Sequence, residues 1–215
     1  MGMEIALIPA AMFIMGIGMM IYMKKKRDSL APGYAQQEMK RFVKEMVPQL
    51  SEEEFHVIDC KTEIDFGSSV VSFFRTTHSI PDSVGISLKT SEGSIVYTGD
   101  FKFDQTAIPM YQTDFARLAE IGQSGVLALL STSSNAENPA TVASELQIAD
   151  EVYDNIRYWE GRIIVACVAS NLQRLQQVLD AAYRSGRKVV LTGQDFGRII
   201  KTTMKLGKLT LPDEN

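Results

Sequence analysis

The sequence has 215 residues, enough for one moderate domain or one domain with attachments. Hydrophobic residues make up 45% and charged residues 22%, an ordinary globular balance. A net charge of -4 excludes a molecule that is basic throughout, so a nucleic-acid site has to be a local basic patch.

In chain order, the N-terminus is the compositional outlier. IALIPAAMFIMGIGMMIYM (5–23) contains no charged residue and is followed at once by Lys24, Lys25, Lys26 and Arg27. That length suits a membrane-spanning helix with its basic flank on the cytoplasmic side. A cleaved leader fits less well, because its charges belong before the apolar run. Residues 1–27 are therefore expected to be a hydrophobic helix that contacts the membrane through residues 5–27. Beside such a run, anionic lipid suits the four basic residues better than RNA does. Residues 28–34 read as a linker broken by Pro32 and Gly33. Met39, Phe42, Val43 and Met46 then fall at helical spacing over 35–47.

A strand-rich stretch follows. FHVIDC (55–60), VVSFFRT (70–76), VGISLK (84–89) and SIVYTG (94–99) are β-branched and aromatic runs, and the last two predict a hairpin across TSEG. A short helix is expected over 113–121, with Gly122 as its cap. The continuous apolar run VLALLS (126–131) predicts a strand buried on both faces. From there the pattern is helix 142–158, buried strand RIIVACVA (162–169), helix 171–184 capped by Ser170, strand KVVLTG (188–193), and a last helix capped by Asp195. Strands alternating with helices indicate a parallel α/β unit. The sequence closes on LTLPDEN just as a new strand-like run begins, which reads as an interrupted unit. Cys60 and Cys167 lie in apolar runs and read as buried, inert thiols in a reducing, cytoplasmic setting. Trp159 reads as a packing anchor.

Two histidines are available, His56 and His78. His56 alternates with Phe55 and Val57 and reads as a solvent-facing or core-edge histidine. His78 closes a strand and opens the polar turn HSIPDS, a suitable place for a metal ligand. Asp100 closes SIVYTGD, and a carboxylate at a strand end can bridge two divalent ions. If their strands are neighbours, the two side chains point at one spot. Ser170, Asn171 and Arg174 form a second candidate. They sit where a strand gives way to a helix, whose free N–H groups and a nearby guanidinium suit a phosphate. Their plain reading is a helix cap beside a solvated arginine.

FFRTTHSIPDSVGI, GSIVYTGDFKFD, GVLALLS, SNAENP, GRIIVACVASNLQRLQQV and GRKVVLTG together resemble the ribonuclease J family, over roughly residues 36–215. The likeness is to its Gram-positive members, including the second paralogue. It implies a partial metallo-β-lactamase sheet (strands about 55–131, domain 35–135) leading into the start of a β-CASP α/β domain (136–215). It also implies an exo- and endoribonuclease that uses two metal ions, usually zinc, with RNA as substrate. On that likeness His78 corresponds to the third metal-binding motif and Asp100 to the bridging aspartate of the fourth, and RNA contact falls near residues 170–174. The chain also departs from the family. Its His-x-His-x-Asp-His string is absent, the histidines that complete the site are absent, and Thr132 stands in Ser131-Thr132-Ser133-Ser134 where the family carries an acid. One imidazole and one carboxylate fall short of the three or four protein ligands that a stable zinc site takes. The expectation is a chain without stably bound zinc and inactive alone. Its partners would be RNA, a full-length ribonuclease J subunit or further copies of itself. Its place would be the cytoplasm or the inner face of the membrane. A non-catalytic assembly partner or a membrane-tethered α/β interaction module is the alternative. With its early strands missing, the sheet over 55–100 is expected to show an open edge and an uncovered face, so that 36–215 alone aggregates or needs a partner.

Overall fold

The computed structural model describes residues 58–139, 142–193 and 196–212. The helix expected at 5–23, the linker, the helix at 35–47, His56 and Asp195 lie outside them. Among the described residues the chain is mixed α/β, a five-stranded sheet with four α-helices.

Strands β1 (Glu63–Asp65), β2 (Val70–Arg75), β3 (Val84–Thr90) and β4 (Gly93–Tyr97) form an antiparallel meander. The hairpin expected across TSEG is there. Thr90 pairs with Gly93, the Thr90 hydroxyl donates to the Gly93 carbonyl at 2.8 Å, and Gly93 takes a φ of +138°. Strand β5 (Val126–Leu130) lies parallel to β4, and helix α1 (Phe115–Gln123) makes the crossover that a parallel pair requires. The Asp114 carboxylate caps α1 by accepting from the Arg117 N–H. Gly122 falls inside this helix rather than capping it, and Ser124 occupies the cap.

Alternation along β2 builds the core. Phe73 and Phe74 point to opposite faces. Phe73 packs with Ile58 and Val84, flanked by Cys60, Ile64, Val71 and Ile86. Phe74 packs with Val96 and Ile121, flanked by Leu118 of α1. Gly85 stands opposite Phe74, and a β-carbon there would lie 2.2 Å from the ring, so only glycine admits this packing. Both faces of the sheet's centre are thus covered, contrary to the bare face expected over 55–100.

The second half is helical in the expected places. Helix α2 (Glu145–Tyr158) is capped by Ser144, and helix α3 (Leu172–Arg184) ends at Gly186 with φ +64°. Helix α4 (Phe196–Lys205) packs Ile200 and Phe196 against Leu175, Leu179 and Leu209. The cap of α3 is Asn171, not Ser170: the Asn171 side chain accepts from the Arg174 N–H at 3.0 Å.

The strand expectations need three corrections. Residues 58–60 do not extend FHVIDC; Asp59 accepts from the Lys61 N–H and the Thr62 hydroxyl, and the chain turns. Among the described residues β5 is an edge with most of its side chains exposed, not a strand buried on both faces. RIIVACVA and KVVLTG join no sheet among the described residues, and Ile164 and Val190 are each 88% exposed. A parallel strand is buried by ladders on its flanks and helices on its faces. The described residues supply α3 but no ladder for either run. Cys60 and Cys167 are accordingly free and half-buried, and neither lies in a strand. Trp159 is 62% exposed, so it does not anchor a core.

Candidate functional site

His78 is held by its neighbours in sequence. Thr77 is fully buried, its N–H donates to the Thr113 hydroxyl at 3.0 Å, and the two hydroxyls meet at 2.9 Å. Thr77 also forms an isolated antiparallel bridge with Lys102, whose N–H donates to the Thr77 carbonyl at 2.9 Å. That bridge fixes where the segment after β4 passes. Asp100 follows Gly99, which takes a left-handed φ of +61°. The result brings His78 Nε2 to 3.9 Å from Asp100 Oδ2.

The two candidates therefore do converge, though not from neighbouring strands. β3 lies between β2 and β4, and the meeting happens past the end of the sheet through the Thr77–Lys102 bridge. Burial pushes the His78 pKa below its ordinary 6.5, and the Asp100 charge pulls only partly the other way. The imidazole is thus largely neutral at pH 7, with the Ser79 hydroxyl 3.4 Å from Nε2. Among the described residues no group of three or more His, Cys, Asp or Glu side chains is placed to hold a metal ion. A neutral imidazole and a two-thirds exposed carboxylate are suitable donors, but two of them do not fit a dinuclear centre. Among the described residues the Thr132 hydroxyl makes local contacts with Ser134.

The second candidate turns out to be occupied by its own neighbours. Arg174 donates through Nη1 to Gln177 Oε1 at 2.7 Å, and its Nη2 lies 3.5 Å from Glu145 Oε2. Glu145 is the centre of a larger polar seam. Its other oxygen accepts from Lys102 Nζ at 2.6 Å, and Gln177 Nε2 donates to Oε2 at 3.1 Å. Lys102 also lies 3.3 Å from Asp104 Oδ2, which accepts from the Glu145 N–H at 2.7 Å. Burial works against the ionised Asp104. The Thr106 hydroxyl, the Glu145 and Thr106 N–H groups and Lys102 outweigh it, and its pKa falls to about 2. Asp104 thus caps α2 from a distance. Lys208 pairs with Asp82 nearby in the chain's fold, and burial followed by the charges of Asp82 and Glu145 pushes the Tyr111 hydroxyl well up.

The two sites touch. The Gln173 N–H, in the first turn of α3, donates to the Ser79 carbonyl beside His78 at 3.3 Å. Sequence reasoning placed both ends of this contact and missed the seam between them. Lys102 and Asp104 lie within GDFKFD, but their partner Glu145 is 41 or more residues away, and spacing carries no signal over that distance.

The family model for the ribonuclease J β-CASP domain matches residues 160–215. Ribonuclease J 2 of Streptococcus pyogenes serotype M3 is 58% identical over 160 residues, 74% of this chain and 29% of that protein. Ribonuclease J2 of Bacillus subtilis strain 168 is 50% identical over 157 residues, 73% of this chain and 28% of that protein. Over this stretch the chain belongs to the ribonuclease J family. Ribonuclease J 2 of Staphylococcus aureus NCTC 8325 stands at 41% over 160 residues. The chain spans under a third of the length of the first two of these relatives. A solved protein of unknown function from Enterococcus faecalis V583 shares 14% identity at a TM-score of 0.47, covering 69% of this chain and 37% of that one. That likeness is too loose to build on.

Proposed function

We propose that this chain carries the middle of a metal-dependent ribonuclease and does not cleave RNA by itself. On this reading residues 35–135 are part of a metallo-β-lactamase domain and 136–215 begin the β-CASP domain. Residues 1–27 tether the protein to the inner face of the membrane, with 28–34 as linker. No helix among the described residues is long and apolar enough to cross a membrane, and residues 5–23 lie outside them.

The observation that carries the proposal is the His78–Asp100 pair, 3.9 Å apart with no third donor among the described residues. The pair has the chemistry of two adjacent ligands, and the relatives named ribonuclease J2 support the RNA substrate. Zinc, if supplied with the remaining ligands, would provide charge neutralisation at the scissile phosphate. Within this chain, His78 and Asp100 are the two donors, and the first turn of α3 reaches the Ser79 carbonyl beside His78 through the Gln173 N–H. Incubation of the full chain with a 5′-monophosphorylated RNA tests this. No cleavage by the chain alone is the expected result, whether or not zinc is added. Cleavage abolished by His78→Ala would overturn it.

The Arg174–Glu145 pair favours the non-catalytic reading of the same family role, in which the chain works through a full-length ribonuclease J subunit or further copies of itself. An arginine already paired with a carboxylate and a glutamine amide is a poorer phosphate ligand than a free one.

A further inference from the structure

The backbone is held on both sides of His78. The Thr77 carbonyl accepts from the Lys102 N–H at 2.9 Å, and the Ser79 carbonyl accepts from the Gln173 N–H at 3.3 Å. The two donors lie far apart in sequence: Lys102 follows β4, and Gln173 is in the first turn of α3. Each belongs to a segment whose cation reaches the same carboxylate. Lys102 Nζ meets Glu145 Oε1 at 2.6 Å, and Arg174, the residue after Gln173, brings Nη2 to 3.5 Å from Glu145 Oε2. Gln177, one turn further along α3, donates through Nε2 to the same Oε2 at 3.1 Å. The contacts form a closed circuit. One arm runs from Glu145 through Lys102 to Thr77, the other from Glu145 through the start of α3 to Ser79, and His78 lies between their ends.

The Glu145 side chain is 13% exposed, so water screens its two ion pairs far less than it screens pairs at the surface. Its backbone is fixed as well, because its N–H donates to Asp104 Oδ2 at 2.7 Å. The two arms differ in stiffness. Thr77 is anchored a second time by Thr113, which accepts from its N–H and meets its hydroxyl. The Gln173 N–H belongs to the first turn of a helix, where a backbone donor has no partner within the helix itself. The Ser79 carbonyl satisfies it. The α3 arm thus leans on Glu145 more than the Thr77 arm does.

We propose that Glu145 is a positioning residue for His78: through Lys102 and Arg174 its one carboxylate sets the backbone on both sides of the imidazole. What the placement serves rests on the reading of His78 as a metal donor. The placement itself is a property of the folded chain and is measured without metal or RNA. Its failure would leave the ribonuclease reading standing, and cleavage of RNA by the chain alone would leave the placement standing.

The test is NMR of the full chain, reading amide hydrogen exchange together with the His78 imidazole resonances at fixed pH. Glu145→Gln keeps the shape of the side chain and removes its charge. Measured against the amides of β2 and β3, exchange is expected to rise at least about tenfold at Gln173 and about threefold at Lys102. The carbon-bound imidazole protons of His78 are expected to shift in the same variant. Arg174→Met cuts one arm, so Gln173 is expected to exchange faster while the Lys102 amide keeps its rate. Leu118→Ala, which loosens the packing of α1 on the sheet, is expected to leave the His78 resonances in place. Unmoved His78 resonances in Glu145→Gln overturn the proposal. So does exchange that rises equally across the sheet, which would make Glu145 a stabilising residue only. Should Glu145→Gln fail to fold, Arg174→Met and Lys102→Met decide, and an unchanged exchange rate at the amide of the severed arm overturns the proposal.

Discussion

Phe74 and Ile164 both lie in apolar runs whose sequence reads as a strand, yet one is 1% exposed and the other 88%. Phe74 lies in β2, which has a strand on each side, with a helix packed on its face and a glycine opposite that leaves room for its ring. Ile164 has α3 nearby in sequence and no ladder on either flank among the described residues. Hydrophobicity sets what a residue gains by burial. Whether that gain is collected depends on partners contributed by other parts of a chain. The closed region, β2 to β4 with α1 and the Glu145 seam, has its partners within the described residues. The open region, β5 with the runs 162–168 and 188–191, does not.

The sharpest way to break this contrast is truncation in each region. Phe74→Ala is expected to lower unfolding free energy by about 3–5 kcal/mol, against about 0.5 kcal/mol or less for Ile164→Ala, in urea denaturation at low protein concentration. Gly85→Ala should fall between them at about 1–3 kcal/mol, because the new methyl collides with Phe74 and the Tyr97 carbonyl. Equal costs for Phe74 and Ile164 would show that the runs are buried in solution.

Acid should act on the closed region next. Asp104 has a folded pKa of about 2 against 3.8 for a free aspartate, so its ionised form favours the folded state. That contribution is fully present above pH 4 and is lost as pH falls toward 2, about 2 kcal/mol in all. Denaturation of the native chain and of Asp104→Asn, compared at about pH 5 and about pH 2.5, checks it. The variant should show the flatter pH dependence. A smaller effect is expected from Glu145→Ala, which leaves Lys102 and Arg174 without their shared carboxylate. These side chains are about one-fifth exposed, so water screens part of the loss and about 1–2 kcal/mol is expected. The same variant releases Arg174. RNA crosslinking near residues 170–174 should rise, and unchanged crosslinking would remove the seam from any role in RNA contact.

The smallest effect concerns His78. Burial holds its pKa below 6.5 and Asp100 offsets part of that shift, so Asp100→Asn should lower it further, as read by the imidazole carbon-bound proton resonances against pH. A rise on removing Asp100 would mean that the two side chains do not face each other in solution.

What the sequence revealed depended on distance along the chain. The Thr90–Gly93 hairpin and the helices that became α1, α2 and α3 are written in residues a few positions apart, and so they were legible, although the Asp114 and Ser144 caps, equally local, were not read. His78 and Asp100 were legible as strand-end donors, but the bridge that joins them, Thr77 with Lys102, was not, because spacing does not specify which strand ends meet. RIIVACVA reads as a buried strand and KVVLTG as a strand because a continuous apolar run presumes a sheet around it. That inference is sound only when the neighbouring strands are at hand. The misplaced cap at Ser170 was a one-residue matter: Asn171 and Ser170 are both good cap residues, and the backbone chose the asparagine.

The claim on which the functional account rests is the number of metal donors this chain can bring to one point. Purified full chain, equilibrated with zinc, dialysed and analysed for metal by mass spectrometry, measures it directly. The account predicts well under one zinc per chain on average, unchanged by His78→Ala. Retention of about two zinc ions per chain, lost in His78→Ala, would contradict it.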